Sequence, residues 1–259
     1  MKKLKKDKLH IKICESREDM GKTAAIDLIA KLKEMTTSRK YNENIRMLFA
    51  SAPSQNDFFA HLWKMGSEAN NIDFSKITAF HLDEYIGLSQ DAPQGFGNFL
   101  KERLFSKLSF GEVHYIDSQA TDPEAECQRY TALLKEKPID IICMGIGENG
   151  HIAFNDPHVA DFNDPKTVKV VELDNICRQQ QVNDGCFARL ADVPTHAITL
   201  TIPALVNAKA IFCMVPAISK ANAVYHCLES PISEEHPATI LRTVEAATLY
   251  LDPDSSSRV

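Results

Sequence analysis

The stretch IDIICMGIGENGH, which occupies residues 139–151, decides the fold class. Its first part, Ile139 to Met144, is a run that is apolar apart from Asp140 and is typical of a strand buried on both faces of a parallel sheet. We therefore predict that this strand lies near the centre of the sheet. The second part brings glycines and polar side chains directly after the strand, which is where such sheets bind their ligands.

Outside this stretch, strand-like and helix-like patterns take turns along the chain. Strands are predicted over residues 9–13, 45–50, 77–82, 168–173, 197–202, 211–215 and 248–251. Helices are predicted to begin at Ser16 and at Asp122-Pro123, and others to cover residues around 58–63, 99–108 and 219–228. This alternation predicts an α/β fold with a mostly parallel sheet covered by helices on both faces.

The size and composition of the chain predict one globular unit. Its 259 residues and 28.9 kDa suit one large domain, and because no linker or repeat divides it, we predict a single domain over residues 1–259. The last residues, 254–259, are predicted to form a frayed tail. A hydrophobic fraction of 44% and a charged fraction of 25% exclude intrinsic disorder of the whole chain.

Charge and cysteine usage narrow the class of partner. The formal net charge of -6 has the wrong sign for a nucleic-acid-binding surface, and no apolar stretch is long enough for a membrane span. The seven cysteines are odd in number and scattered without a C-x-x-C pair, which indicates reduced thiols. We expect a cytoplasmic protein with neither a nucleic-acid nor a membrane partner.

The glycines of residues 145–150 spell G-x-G-x-x-G, which invites a dinucleotide-binding interpretation. Glu172 even supplies an acidic residue at about the expected separation of 20 residues. A dinucleotide site needs a helix of several turns directly after the third glycine, however, and Pro157 and Pro165 interrupt that interval. We therefore rank nicotinamide binding low.

A sharp turn at these glycines has another consequence. It gathers the side chains of Asn149, His151 and Asp156 around one small volume. A histidine whose neighbours fix its tautomer can transfer protons near neutral pH, so His151 is a candidate catalytic residue. The alternative is that His151 only ties the loop together.

The segment HLDEY at residues 81–85 follows the strand predicted over 77–82 and supplies two adjacent carboxylates. Neighbouring side chains on an extended segment point to opposite sides, so at most one of Asp83 and Glu84 is expected to face the same cavity as His151. A metal site built from His81, Asp83, His151 and Asp156 is a weaker alternative, because no tight ligand pair such as H-x-x-x-H is present.

Two further segments are suited to an anion. Ser51 and Ser54 lie in the loop after the strand at 45–50, directly before a predicted helix. Lys220 follows the strand at 211–215 near the start of another helix and can bind phosphate as a point charge. Helix capping and a solvated surface lysine are the corresponding structural alternatives.

At these residues the chain resembles the glucosamine-6-phosphate deaminase/isomerase family, over roughly Leu9 to Pro253. The specific matches are FHLDEYIGL at 80–88 and MGIGENGHIAFNDP at 144–157, followed by DVPTHAITLTIPAL at 192–205. The resemblance implies an open three-layer α/β/α sandwich with a mostly parallel, twisted sheet and a topology related to the Rossmann fold. It also implies an aldose–ketose isomerisation of an amino-sugar phosphate coupled to loss of ammonia, without cofactor or metal.

The resemblance also assigns roles. Asp83 becomes the base that moves a proton between C2 and C1 of the opened sugar, and His151 assists ring opening with Asn149 and Asp156 in support. The residues expected to bind substrate or its phosphate are Ser51, Ser54, Lys220, Gly147 and, as a looser candidate, Arg178.

This chain departs from the family pattern where the phosphate is expected. Ala52-Pro53 stands between the two serines in place of a usual Gly-Gly pair, and proline offers no amide donor. Around His151, Asn149 and the shorter Asp156 stand where Asp and Glu are common.

These departures leave alternatives open. The leading hypothesis is a glucosamine- or galactosamine-6-phosphate deaminase. Because family members are often oligomeric, the resemblance also allows a homo-oligomer. A 6-phosphogluconolactonase-like hydrolase and a non-catalytic sugar-phosphate sensor are the alternatives. The presence of both Asp83 and His151 favours catalysis.

Overall fold

The computed structural model describes residues 1–38, 43–68 and 72–259, and its strands and helices alternate as the pattern predicts. The strands are β1 (Lys2–Lys6), β2 (Leu9–Ile13), β3 (Ile45–Phe49), β4 (Ile77–His81), β5 (Asp83–Tyr85), β6 (Glu112–His114), β7 (Ile141–Met144), β8 (Val168–Glu172), β9 (His196–Leu200), β10 (Ala210–Val215) and β11 (Ala247–Leu251). The α-helices are α1 (Arg17–Ser38), α2 (Asn56–Glu68), α3 (Phe96–Leu100), α4 (Pro123–Lys135), α5 (Asn175–Asn183), α6 (Ile202–Val206) and α7 (Ala221–Glu229).

The larger sheet runs in the order β1-β2-β11-β10-β7-β3-β4-β6. All of its pairings are parallel except that of the edge strand β1 with β2. Four of the five residues of β1 are lysines, and lysine on an edge strand discourages pairing with another chain. Together with the flanking helices, this sheet confirms the predicted three-layer α/β/α fold.

Strand β7 has the central, buried position predicted from its apolar run. Ile142 and Met144 contribute to one hydrophobic cluster, whereas Ile141 and Cys143 contribute to the cluster on the opposite face. Because side chains alternate along a strand, burial on both faces requires such a continuous apolar run.

The predicted helix starts are also confirmed. Ser16 Oγ accepts the Asp19 amide at 3.0 Å ahead of α1, and Asp122 Oδ1 accepts the amides of Glu124 and Ala125 at 3.0 and 3.1 Å ahead of α4. Within the described residues, none of the helices combines the length and the apolarity needed to cross a membrane.

Two predicted strands lie outside the main sheet. β8 and β9 pair with each other and with the short β5 in an antiparallel sheet of order β5-β9-β8. Their apolar patterns are those of ordinary strands, so the sequence did not distinguish the two sheets. The pairing places Asp83 opposite Thr199 and so sets the position of Asp83 from a distant part of the chain.

The prediction of a frayed C-terminal tail is wrong for part of residues 254–259. Ser255 and Ser256 are buried, and the Ser255 amide donates to Asp252 Oδ1 at 2.8 Å. The Ser256 hydroxyl donates to the Asp252 carbonyl oxygen at 2.7 Å. Short polar residues are typical of tails, but here their hydrogen bonds fold the chain back on itself.

Candidate active site

A cleft opens over the carboxyl ends of β3, β4, β7 and β10, where polar residues follow each strand. It brings together six of the nine residues predicted for the site: Ser51, Ser54, Asp83, Gly147, His151 and Lys220. Asn149 and Asp156 support the site from behind, and Arg178 lies elsewhere.

Asp83 is the carboxylate of the cleft. It begins β5, is 5% exposed and lines the cleft beside Leu82. Burial, and to a smaller extent the neighbouring Glu84 carboxylate, raise the pKa of Asp83 well above its ordinary value. A carboxylate with a raised pKa is a stronger base, which suits Asp83 to removing a proton from carbon.

Glu84 points away from the cleft, as expected for the neighbour of Asp83 on a strand. Its Oε1 accepts the amides of Tyr85 and Phe96, both at 2.9 Å, and its Oε2 accepts the Gly97 amide at 2.8 Å. Glu84 therefore anchors the start of α3. Because Phe96 lines the cleft, this anchor also holds one of the cleft walls.

Titration of Glu84 should make stability depend on pH. Burial raises the pKa of Glu84 to about 7, although its three amide donors act in the opposite direction. The native state then binds more protons than the unfolded state between the ordinary carboxyl pKa and 7. The free energy of unfolding should therefore fall as pH rises through this interval, by at most about 3 kcal/mol for this one group.

Urea unfolding of the wild type and of Glu84→Gln at pH 5 and pH 7 checks this expectation. The wild type should lose stability toward pH 7, and Glu84→Gln should show a clearly flatter dependence because its amide does not titrate. Identical dependences in the two proteins would contradict the assignment.

His151 and Asp156 form a buried pair in the loop after β7. His151 is 8% exposed, and its Nδ1 lies 3.0 Å from Asp156 Oδ1. Asn149 braces the pair, because its side-chain amide donates to Asp156 Oδ1 at 3.0 Å and its Oδ1 accepts the His151 amide at 3.0 Å. Burial acts to raise the pKa of Asp156, but contact with the imidazole and two hydrogen-bond donors outweigh it and lower the pKa. An ionised Asp156 beside Nδ1 can favour one orientation of the imidazole ring.

Gly147 is required by the position of the His151 ring. A Cβ placed on Gly147 would overlap the Cε1, Nε2 and Nδ1 atoms of that ring. The absence of a side chain at residue 147 therefore lets the imidazole lie against the backbone.

Gly147→Ala should displace His151 and lower kcat about a hundredfold, because a proton-transferring group loses its position. Steady-state kinetics measure this loss. Gly87→Ala is the control for general destabilisation: its added methyl meets no atom within 4 Å but stands at φ 91°, so it should lower stability while kcat is retained. A fully active Gly147→Ala would show that the ring position does not matter.

The cleft also carries a buried cation and hydroxyl groups. Lys220 is 4% exposed, and within the described part of the chain neither its Nζ nor the buried Ser51 Oγ has a hydrogen-bond partner. Burial lowers the pKa of Lys220, with nearby acidic groups acting against it. Buried groups of this kind are normally satisfied, so both are candidates for binding a ligand anion.

Gln55 orients the second serine. Its Nε2 donates to Ser54 Oγ at 3.1 Å and to the Met214 carbonyl oxygen at 3.2 Å. Because Ser54 Oγ accepts this bond, its own proton is left to donate elsewhere. The Ala52-Pro53 departure thus leaves both serines at the cleft.

The expectation for Arg178 is corrected. Its Nη2 donates to the carbonyl oxygens of Leu190 and Val193, both at 2.9 Å, which directs the guanidinium away from the cleft. Two glutamines of the same helix, Gln180 and Gln181, line the cleft instead. We therefore no longer assign Arg178 to phosphate binding.

His81 does not belong to the site either. It is fully buried, with Nδ1 2.8 Å from the Asp83 carbonyl oxygen and Nε2 accepting the Ile116 amide at 2.9 Å. Both ring nitrogens thus have hydrogen-bond partners within the protein. His81 is therefore not available as a ligand of the metal site considered with Asp83, His151 and Asp156.

Other ligand-type atoms come close together around Asp156. One group is His151, Asp156 and Cys177, and the other is Asp156, His158 and Asp174. Burial raises the pKa of the Cys177 thiol well above its ordinary value, so the thiolate that a metal needs is disfavoured. The Asp156 oxygens already accept N–H groups, so we assign no metal here.

Sequence reasoning missed Gln55, Gln180 and Gln181, which are buried at the cleft. The available signal for the last two was the run of three glutamines at residues 179–181. Phe96 and Phe154, which also line the cleft, gave no signal beyond that of core residues.

Comparison with known proteins identifies the family of the chain. A family model described as glucosamine-6-phosphate isomerases/6-phosphogluconolactonase covers residues 15–250. The chain belongs to this family. Among its relatives, a glucosamine-6-phosphate deaminase of Exiguobacterium sp. is 43% identical over 187 residues, which is 72% of each chain. One of Bacillus cereus is 36% identical over 227 residues, which is 88% of this chain and 82% of the relative.

Two solved structures show the same fold. A monomeric glucosamine-6-phosphate deaminase superposes with a TM-score of 0.86 at 30% identity, covering 95% of this chain and 98% of its own. A 6-phosphogluconolactonase from Thermotoga maritima superposes with a TM-score of 0.74 at 18% identity, covering 94% of this chain and 99% of its own. The second likeness extends to the fold alone.

Proposed function

We propose that this family member is an amino-sugar phosphate deaminase that converts glucosamine 6-phosphate or galactosamine 6-phosphate to the ketose 6-phosphate and ammonia. The observation that carries the proposal is that one cleft contains three kinds of group. They are the buried carboxylate of Asp83, the imidazole of His151 with Asp156 beside it, and the buried ammonium group of Lys220 with two serine hydroxyls. The relatives named glucosamine-6-phosphate deaminase support the same reaction.

The phosphate end of the substrate would bind Lys220, Ser51 and Ser54. The ammonium group supplies charge, and the hydroxyls of Ser51 and Ser54 supply hydrogen bonds. Binding energy from this remote group would hold the reacting carbons near Asp83.

His151, oriented by Asp156, would transfer the proton that opens the sugar ring. Ring opening breaks the C1–O5 bond, leaves a carbonyl at C1 and returns a proton to O5. That carbonyl makes the C2 proton acidic enough for a carboxylate base to remove.

Asp83 would take the C2 proton and return it to C1. The electron pair left at C2 forms a C1=C2 double bond, and the C1 carbonyl oxygen takes a proton from the substrate ammonium group to give an enolamine. Reprotonation at C1 then leaves a protonated imine at C2. Water then hydrolyses the imine to the ketone and releases ammonia. This sequence needs a base that is shielded from solvent, as Asp83 is.

A turnover assay with glucosamine 6-phosphate, galactosamine 6-phosphate and 6-phosphogluconolactone tests the proposal. We expect equal amounts of ammonia and ketose phosphate from one of the two amino sugars. Lactone hydrolysis without deamination would instead support the lactonase. Binding of a sugar phosphate that depends on its phosphate group, without any turnover, would support the alternative of a non-catalytic sugar-phosphate sensor.

We also propose a cytoplasmic location. The seven cysteines are free and six of them are buried, which suits a reducing compartment. With a net charge of -6 we propose no nucleic-acid partner. Light scattering of the purified protein would measure its association state.

A further inference from the structure

The turn that carries Lys220 begins at a strained residue. Ala217 has φ 83° and ψ 151°, a backbone conformation that is almost confined to glycine. It lies between the end of β10 and the 3₁₀ turn Ile218–Lys220, and its carbonyl oxygen accepts the Lys220 amide at 3.1 Å. The strained residue is thus hydrogen-bonded to the backbone of Lys220, whose side chain lines the cleft.

Asp252 binds the strained residue from the other side. Both of its carboxylate oxygens accept the Ala217 amide, at 3.2 and 3.0 Å, and Asp252 is 2% exposed. A hydrogen bond to a buried carboxylate is among the stronger kinds in a protein. This bond can therefore hold Ala217 in a conformation that alanine does not favour.

The C-terminal segment in turn holds Asp252. The Ser255 amide and the Ser256 hydroxyl donate to the carboxylate and the carbonyl oxygen of Asp252 respectively, and both serines are buried. The Arg258 guanidinium then lies 4.7 Å from the centre of the Tyr225 ring on α7. We name Asp252, Ser255 and Ser256 the C-terminal clamp.

We propose that Asp252 is a positioning residue for Lys220. By binding the Ala217 amide it holds the strained turn that keeps the Lys220 ammonium group at the cleft, so the C-terminal clamp contributes to phosphate binding without touching substrate. The proposal rests on the proposed function only in taking Lys220 as a phosphate ligand. It predicts that removing the Asp252 carboxylate weakens phosphate binding only as long as residue 217 is strained.

Ala217→Gly tests the strain. Glycine adopts this conformation freely, so the variant should gain stability, with Tm raised by about 2–4 °C, and should bind phosphate at least as well as wild type. A lower Tm would overturn the claim that Ala217 is strained.

Asp252→Ala tests the clamp. The dissociation constant for inorganic phosphate, measured by calorimetry, should rise about tenfold, and KM for the sugar phosphate should rise in parallel while kcat changes by no more than about threefold. A folded Asp252→Ala with unchanged phosphate affinity would reduce Asp252 to a structural role and overturn the proposal. If Asp252→Ala does not fold, Asp252→Asn, which keeps one acceptor oxygen, replaces it and should weaken phosphate binding in the same direction.

The double variant Ala217→Gly/Asp252→Ala gives a readout that a general loss of stability would not produce. Once glycine removes the strain, loss of the Asp252 carboxylate should weaken phosphate binding by no more than about twofold relative to Ala217→Gly alone. A full tenfold loss in the double variant would contradict coupling through Ala217. Asp254→Ala, which removes an exposed carboxylate two residues along the chain, is the matched control and should bind phosphate as wild type does.

Lys220→Met separates this proposal from the proposed function. If Lys220→Met binds inorganic phosphate as well as wild type, Lys220 is not a phosphate ligand and the assignment of the phosphate end fails. If Lys220→Met loses phosphate but Asp252→Ala does not, only the role of Asp252 is wrong. The calorimetric readout needs no turnover, so it stays informative whichever sugar is the substrate.

Discussion

Asp83→Asn should lower kcat by about a thousandfold, because an amide cannot accept the C2 proton that a carboxylate base removes. The substitution preserves the size and shape of a side chain that is 5% exposed, so it should leave the cleft intact. It also removes a buried carboxyl next to Glu84, so the fold should not lose stability near neutral pH. Ammonia release under saturating substrate measures kcat, and calorimetry with inorganic phosphate should show unchanged affinity.

Asp192→Asn is the matched control for this prediction. Asp192 is paired with Arg189 on the surface, and its loss should leave kcat and KM unchanged. If Asp83→Asn keeps full activity while Asp192→Asn behaves as wild type, Asp83 is not the base. If Asp83→Asn instead loses phosphate affinity together with kcat, the substitution has disturbed the cleft as a whole.

Lys220→Met should raise KM for the sugar phosphate about a hundredfold while changing kcat much less, because a charged hydrogen-bond donor to the phosphate is lost far from the reacting carbons. The same substitution should stabilise the free protein by about 1–3 kcal/mol, since the ammonium group is buried without a partner among the described residues. Weaker binding combined with a higher Tm is the pattern of a residue kept for function at the expense of stability.

Steady-state kinetics, calorimetry with inorganic phosphate and thermal unfolding check the three parts of this prediction. Lys6→Met removes an exposed lysine of β1 that is paired with Glu229, and it should change none of the three measurements. A Lys220→Met protein with unchanged KM would exclude Lys220 from substrate binding. A lower Tm would show that its ammonium group is stabilised by the fold, contrary to its lack of partners.

Much of the fold could be predicted because it depends on local signals. The apolar run of β7 indicated a strand buried on both faces. The side chains of Ser16 and Asp122, which accept hydrogen bonds from the first amides of α1 and α4, indicated where these helices begin. The polar residues after the parallel strands had to converge at one edge of the sheet. For that reason His151, Lys220 and one of the two carboxylates at residues 83 and 84 could be expected at one cleft before their geometry was known.

The misplaced features depend on contacts between distant segments. The pattern of β9 does not reveal that it pairs with β5 rather than with the main sheet. An arginine at residue 178 is a reasonable anion ligand by its position in the sequence. Its guanidinium, however, donates hydrogen bonds to the carbonyl oxygens of Leu190 and Val193. The serines near the C-terminus look like a frayed tail until they are seen to bind Asp252.

The sequence by itself determined the family, the layered α/β fold and the residue types of the site, because strand periodicity, helix caps and the motifs at 80–88 and 144–157 are properties of short segments. Only the tertiary structure decided which carboxylate faces the cleft and placed Asp156 Oδ1 3.0 Å from His151 Nδ1. It also decided that Asp252 holds the turn of Lys220. These features depend on side chains that meet across long chain separations, and burial then sets their pKa values and hydrogen bonds.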